Sequence, residues 1–473
     1  MLLAMILAFS VVAVALRFLG DRLRGWALLA ACALAVYLLQ PSMPIRYLDY
    51  WLPTATLGLA LFAWLVVAPA EMRFARENLL AGLLLAGVAL GVALTRYLAP
   101  AGGLIIPGRP PQASLVVVVL AGVVLLAWLL GRLRCAQNLL LSIGVGFVLL
   151  LLLDLKLPAL TEWTSAGLRS LTGQSTALAS AADIRWLGFS YIAFRIIHTL
   201  RDRQSGRLPA VNLREYVTYA LFFPTLPAGP IDRLERFTPQ LRQPARFELA
   251  AGGHRLLAGL FKKFVVADSL ALIALGPLNA AQVHTAGWTW LLLYAFSLQI
   301  FFDFAGYTDI AIGMALLMGI RLPENFNRPY LRPNLAQFWN NWHMTLTNWF
   351  RAYFFNPLAR SLRSGRVQLS PLAVILVTQV ATMVLIGFWH GITTNFLLWG
   401  VWHGAGLFVQ NRWSTWASPR LAPKLHDRPR LQWAFSVGGA LLTFHYVSLG
   451  WVWFALPEPS LAWQTLRHLL GLG

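Results

Sequence analysis

The sequence predicts an all-α polytopic membrane protein, and three observations carry that class. Of 473 residues, 58% are hydrophobic and 12% charged, against roughly 25% charged in a soluble domain. Apolar runs recur near 2–16, 26–40, 51–68, 79–94, 114–130 and 138–153. Basic residues gather in alternate connections: Arg17, Arg22 and Arg24, then Arg73 and Arg76, then Arg132 and Arg134. By the positive-inside rule this pattern places the N-terminus outside. Twenty Trp and twelve Tyr suit interfacial belts.

The net charge of +20 also fits a nucleic-acid binder. The Lys and Arg residues lie between apolar runs, where membrane loops need them, so nucleic acid is excluded as the expected partner and the lipid bilayer takes its place. The stretch Leu2–Leu16 has no basic residue before it and several after it, the reverse of a secretory signal, so it reads as a retained first helix. Several runs are shorter than the roughly 20 residues of a standard span and must recruit flanking residues. Two cysteines, Cys32 and Cys135, form neither a disulfide framework nor a metal pattern. No bound cofactor and no metal are expected.

After residue 155 the runs shorten and Pro and Gly interrupt them: 187–198, 216–226, 256–275 and 288–304. Irregular backbone at membrane depth survives only where protein or a water-filled cavity surrounds it. The chain therefore divides into a plain helical flank at 1–155, a site-forming core at 156–430, and a final helix and tail at 431–473, all within one integral membrane domain. Asp303 and Asp309 fall at membrane depth. Six residues apart on a helix, they lie about 240° apart and share no face. They read as structural, orienting a histidine or pairing with an arginine.

Three constellations are suited to chemistry. Gln337–Arg351 holds His343 among three Trp and three Asn. Gly387-Phe-Trp-His-Gly391 puts His390 at the end of an apolar run. Val401-Trp-His-Gly404 repeats the triplet thirteen residues on. On one continuous helix His390 and His403 would sit about 220° apart and share no site, although Thr393, Thr394 and Asn395 are residues that break helices. An intramembrane histidine is by default a polar group satisfied by a neighbouring helix; that reading is kept for His403.

Residues 301–330, FFDFAGYTDIAIGMALLMGIRLPENFNRPY, followed by FWNNWHMTLTNWFR and GFWHG, resemble the membrane-bound O-acyltransferase family, and the resemblance covers about 185–410. Within it, FFPTLPAGPIDRLERF at 222–237 looks most like the D-alanyl transfer proteins of teichoic-acid modification, with Ala228 where they carry serine. The alginate-type O-acetyltransferases are the second branch. The resemblance implies a ring of about 11–13 transmembrane and re-entrant helices around a central tunnel, in a bacterial cytoplasmic membrane. It implies that His390 is the catalytic histidine and His343 its partner.

The reaction so implied moves an acyl group, D-alanyl or acetyl, from a cytoplasmic thioester to a hydroxyl of an extracytoplasmic glycan or envelope polymer. A hydroxyl attacking a thioester needs a base, and burial favours the neutral, proton-accepting form of an imidazole. The tetrahedral intermediate needs donors in a dry site; Trp339, Asn340, Asn341 and Trp389 are the candidates. The donor is an acidic carrier protein with a phosphopantetheine arm, or acetyl-CoA, and the polymer is reached directly or through a second acyltransferase partner. A transporter or flippase is the reading from another class, since broken helices with mid-depth polar groups suit it too, but no internal repeat accompanies them.

One further stretch, 348–366, is basic and Phe-rich with no acidic residue. Phe350, Phe354, Leu358 and Leu362 recur every four residues, with Phe355 beside them and Arg351, Arg360, Arg363 and Arg366 for charge. It reads either as an interfacial helix on anionic lipid or as the docking surface for the carrier, through Phe354, Phe355, Leu358, Arg360, Leu362 and Arg363. Pro357 is expected to kink or restart the helix.

Overall fold

A computed structural model describes residues 3–99, 103–132, 137–245, 248–365 and 369–472. Arg134, Cys135 and Arg366 lie outside the described residues. The described residues contain helices and no strand, and seven of the helices are long and apolar enough to cross a membrane. The chain is a multi-pass, all-α membrane protein. It separates into two compact units, 1–256 with 310–322, and 257–309 with 323–473.

The first unit begins with six helices on the expected runs: α1 (Leu3–Arg17), α2 (Asp21–Leu38), α3 (Leu48–Val67), α4 (Arg76–Leu94), α5 (Ala113–Arg132) and α6 (Gln137–Lys156). Only 6% of the apolar window in α5 and 11% of that in α6 are buried. A helix apolar on every side yet unburied by protein is one whose solvent is lipid. Then come α7 (Pro158–Leu171), α8 (Phe189–Gln204), α9 (Leu213–Ala220) and α10 (Leu234–Arg242). These short helices carry the polar joints. Asn212 caps α9, its side chain accepting the Glu215 N–H at 2.8 Å while Glu215 takes the Asn212 N–H at 3.2 Å. Such a box satisfies two orphan donors reciprocally. Arg195 of α8 is buried and donates to Ala220 O at 2.9 Å and to Thr225 Oγ1, tying down carbonyls that α9 leaves open.

The helices α11 (Leu249–Leu260), α12 (Asp268–Ala271), α13 (Pro277–Gln282) and α14 (Ala286–Leu317) follow. Between α11 and α12 the backbone is π-helical over Phe261–Ala267. At 32 residues α14 is unbroken, and it holds both aspartates noted above. Asp309 pairs with Lys262 at 2.5 Å and Asp303 with Lys263. Both are ion-paired as expected of structural carboxylates, though the partners are lysines rather than arginine or histidine, and two different ones because the carboxylates diverge around the helix.

The second unit then runs through α15 (Leu335–Asn341), α16 (Met344–Phe350), α17 (Asn356–Ser364), α18 (Pro371–His390), α19 (Thr394–Leu425), α20 (Pro429–Ala455) and α21 (Pro459–Leu469). A π-helical turn, Arg351–Phe355, joins α16 to α17, and Pro357 sits in the first turn of α17, so it restarts the helix. The pair α18–α19 packs backbone to backbone. A Cβ on Gly400 would meet Val384 Cα at 2.5 Å, and one on Gly404 would meet Val380 Cα at 2.6 Å. Small residues four apart give that approach inside a membrane. Across α19–α20, Trp402 Nε1 donates to Tyr446 O at 3.0 Å and Tyr446 Oη donates to Trp402 O at 2.6 Å, with the rings stacked 4.6 Å apart.

Candidate active site

The two expected catalytic histidines fall in the second unit, on elements that place them by different means. His390 is the last residue of α18 and Gly391 follows it in extended backbone. Thr393 then caps α19, its hydroxyl accepting the Phe396 N–H at 3.4 Å, and Asn395 donates to Leu456 O at 2.6 Å. The helix breaks over 391–393, so of the three expected breakers Thr393 lies in the break while Thr394 and Asn395 open α19. The wheel separating His390 from His403 therefore does not hold, and both rings contact Trp399, at 6.0 and 4.9 Å. His390 is half-buried; Phe454 meets its ring edge-on at 4.8 Å and Phe396 lies nearly parallel at 5.8 Å.

His343 caps α16 from the left-handed region, φ 41° and ψ 53°, and is 4% exposed. A β-carbon is disfavoured there, so surrounding contacts must impose the conformation. Asn325 supplies them. Its carbonyl accepts the Met344 N–H at 2.9 Å, and its side-chain Oδ1 takes the Thr345 N–H at 3.1 Å and the Thr345 hydroxyl at 2.8 Å. The same oxygen lies 3.3 Å from His343 Nδ1. That contact matches an Nδ1–H donor, which leaves Nε2 as the ring's acceptor atom. Phe304 of α14 closes one side of the ring at 4.6 Å.

Trp389 stands between the histidines, 6.3 Å from the His343 ring and 4.6 Å from that of His390.

The family model for membrane-bound O-acyltransferases matches residues 185–449, more than half of the chain and a span that takes in all three histidine blocks. The chain belongs to that family. By membership it is a membrane-bound O-acyltransferase. It is 33% identical to the teichoic acid D-alanyltransferase of Streptococcus thermophilus over 285 residues, 58% of this chain and 68% of that protein. It is 33% identical to the probable alginate O-acetylase of Pseudomonas aeruginosa over 290 residues, 61% of this chain and 52% of that one. To the peptidoglycan O-acetyltransferase of Helicobacter pylori it is 33% identical over 292 residues, 58% and 52%. The matched part spans about half the length of the latter two relatives.

The remaining expected contacts of this O-acyltransferase divide. Trp339 is buried, with Trp399 at 5.7 Å and His403 at 5.1 Å, each edge to face. The Nε1 atoms of Trp339 and Trp399 and both ring nitrogens of His403 are buried without a hydrogen-bond partner among the described residues. Asn340 is exposed and bonded to Arg351, and Asn341 donates to Gln337 O at 2.8 Å, so both amides are engaged on their own helices or beside them. His403 is fully buried, walled by Trp339, Trp399 and Trp451, and held against Gly450, where a Cβ would meet its Nε2 at 2.6 Å.

In the docking stretch, Phe354, Phe355, Leu358 and Leu362 are half-buried while Arg360 and Arg363 are exposed. The segment thus shows one apolar and one cationic face.

Two features escaped the sequence reading. Asn325 gave no signal beyond its place in the LPENFNRPY block. In the first unit, His198 lies 3.1 Å from Asp202 and 3.5 Å from Glu235, two residues past the Pro-Ile-Asp-Arg block. Its Nε2 accepts the Leu234 N–H at 3.2 Å, Asp202 takes Arg207 at 2.7 Å and Glu235 faces Arg233 at 3.6 Å. With that lone pair engaged and two guanidiniums on the carboxylates, the cluster is an ion-pair network rather than a cation site.

Proposed function

We propose that the chain transfers an acyl group, D-alanyl or acetyl, from a cytoplasmic thioester to a hydroxyl of an extracytoplasmic glycan or envelope polymer, in a bacterial cytoplasmic membrane with the N-terminus outside. The observation that carries this is the contact of Trp389 with both His343 and His390, with His343 held in a left-handed turn by Asn325. Strain at a buried histidine inside a polar clamp is the mark of a positioned functional group.

In this reading His390 is the general base. A neutral ring nitrogen takes the acceptor's hydroxyl proton as the oxygen attacks the thioester carbonyl. The tetrahedral oxyanion collapses and expels the thiolate, which receives the proton from the imidazolium, so the histidine returns neutral. Buried N–H groups stabilise the oxyanion, and Trp339 is an expected residue whose Nε1 donor has no partner among the described residues. His343 orients the acceptor or the base. A tunnel open to both faces lets donor and acceptor reach one fixed site without rocking of the protein. The relatives are named for D-alanyl and for acetyl transfer at equal identity, so the donor is left to experiment: a carrier protein or acetyl-CoA.

The test is transfer by purified, monodisperse protein. His390→Ala should lose about 10²–10⁴ in turnover, the usual worth of a general base. Near-wild-type turnover by that variant would overturn the assignment.

A further inference from the structure

At one end of the first unit, the starts of α2 and α4 and parts of α9 and α10 surround a cleft of about 830 Å³. Five arginines line it, Arg22, Arg24, Arg76, Arg214 and Arg242, against three carboxylates, Asp21, Glu77 and Glu215. Two of the cations are committed. Arg242 forks onto Glu215 at 2.7 and 2.9 Å, and Arg214 meets Glu77 at 3.0 Å. Arg214 also lies over Trp26 at 5.3 Å, and Gly25 makes room for it, since a Cβ there would be 2.4 Å from its Nη1.

The other three are not committed in this way. Arg24 is 8% exposed, yet its guanidinium has one ion contact, 3.5 Å to an Asp21 that is itself 89% exposed, and donates no hydrogen bond among the described residues. Held in place by its buried stem, this guanidinium offers its unspent N–H groups to whatever enters the cleft. Arg22 and Arg76 are exposed and meet no carboxylate among the described residues. Both α2 and α4 begin here without a side-chain cap, so the first-turn amides and the positive ends of 18- and 19-residue helices add to the field. Leu16, Leu28, Leu80, Met318 and Ile320 form apolar walls beside this charge.

We propose that the cleft binds a phosphate ester, with Arg24 as the buried ligand and Arg22 and Arg76 completing the grip. Guanidinium forks match the geometry of phosphate oxygens, and the excess of five cations over three anions favours an anionic ligand. The apolar wall suits the acyl chains of an anionic phospholipid; a soluble phosphate ester such as coenzyme A offers the same headgroup chemistry. The proposal does not depend on the acyl-transfer reading.

The experiment follows thermal unfolding and native mass spectra of the whole chain in detergent, with phosphatidylglycerol, dioleoylglycerol or coenzyme A added. Stabilisation by phosphatidylglycerol but not by dioleoylglycerol, which has the chains and no phosphate, identifies a lipid ligand. Stabilisation by coenzyme A identifies a soluble one. In either case Arg24→Gln, and separately Arg22→Gln with Arg76→Gln, should weaken apparent affinity about tenfold or more, or about 1.4 kcal/mol. The double variant removes two exposed side chains and keeps the fold even if Arg24→Gln does not. Equal response to dioleoylglycerol and phosphatidylglycerol, no response to any phosphate ester, or wild-type binding by the double variant would overturn the proposal.

Discussion

Asn325 shows how one amide governs the site. It spends its carbonyl and its side-chain oxygen on the three residues 343–345, and those bonds hold His343 where a β-carbon is disfavoured. Asn325→Ala removes the side-chain acceptor while leaving the imidazole in place. We expect turnover to fall about 10²-fold, the scale of a small misplacement of a reacting group, with the protein still monodisperse. Unchanged turnover would show that the clamp does not position His343. The histidines were legible in the sequence because Trp-His-Gly and Asn-Asn-Trp-His stand out in apolar surroundings. Asn325 was not, because its role depends on a turn eighteen residues away. The engagement of Asn340 and Asn341 was equally hidden, since a side-chain amide shows no preference in sequence for helix or cavity.

At the scale of elements, the connection between α7 and α8 is tied by a buried pair. Asp183 accepts from Arg169 Nε at 2.8 Å, from Ser165 at 2.7 Å and from the Ser180 N–H at 3.3 Å. Burial acts to raise this carboxyl, but those hydrogen bonds and the Arg169 charge outweigh it and hold it below its ordinary value. A carboxylate whose folded pKa is depressed contributes stability above its unfolded value, near 3.9, and loses it as pH falls through the folded one. Asp183→Asn should therefore cost about 3–5 kcal/mol at neutral pH, since it strands a buried arginine. The gap from wild type should close below about pH 4. An unfolding series in which the gap is pH-independent would refute the linkage. Helix positions in the first 155 residues followed directly from the apolar runs, and the break after His390 from Thr393. The π-helical turns at 261–267 and 351–355 did not show, because one extra residue per turn leaves hydrophobic spacing almost unchanged.

For the whole molecule, class and family were both legible, the first from composition and the second from three ordered blocks. The two-unit division was not, because residues 310–322 join the first unit from within α14, a continuity in sequence that hides a change of neighbours. The donor question also belongs to this scale, since it concerns an encounter between this cationic chain and a partner. If the donor is an acidic carrier, Leu358→Asp and Arg363→Glu should each weaken carrier binding and transfer. Binding should fall as salt rises, exposed charges being screened over roughly 8 Å at physiological ionic strength. Pull-down of carriers on both variants measures this. Wild-type binding by both, or full turnover with free acetyl-CoA alone, would transfer the assignment to acetyl chemistry.

The backbone at His343 carries a further consequence. Its dihedrals are those glycine adopts without penalty, so chemistry and conformational preference oppose each other at one position. A library of variants sorted only for durability in detergent should drift there toward glycine or asparagine, and one sorted for acyl transfer should hold histidine. The residue would mark where selection for endurance and selection for turnover part company.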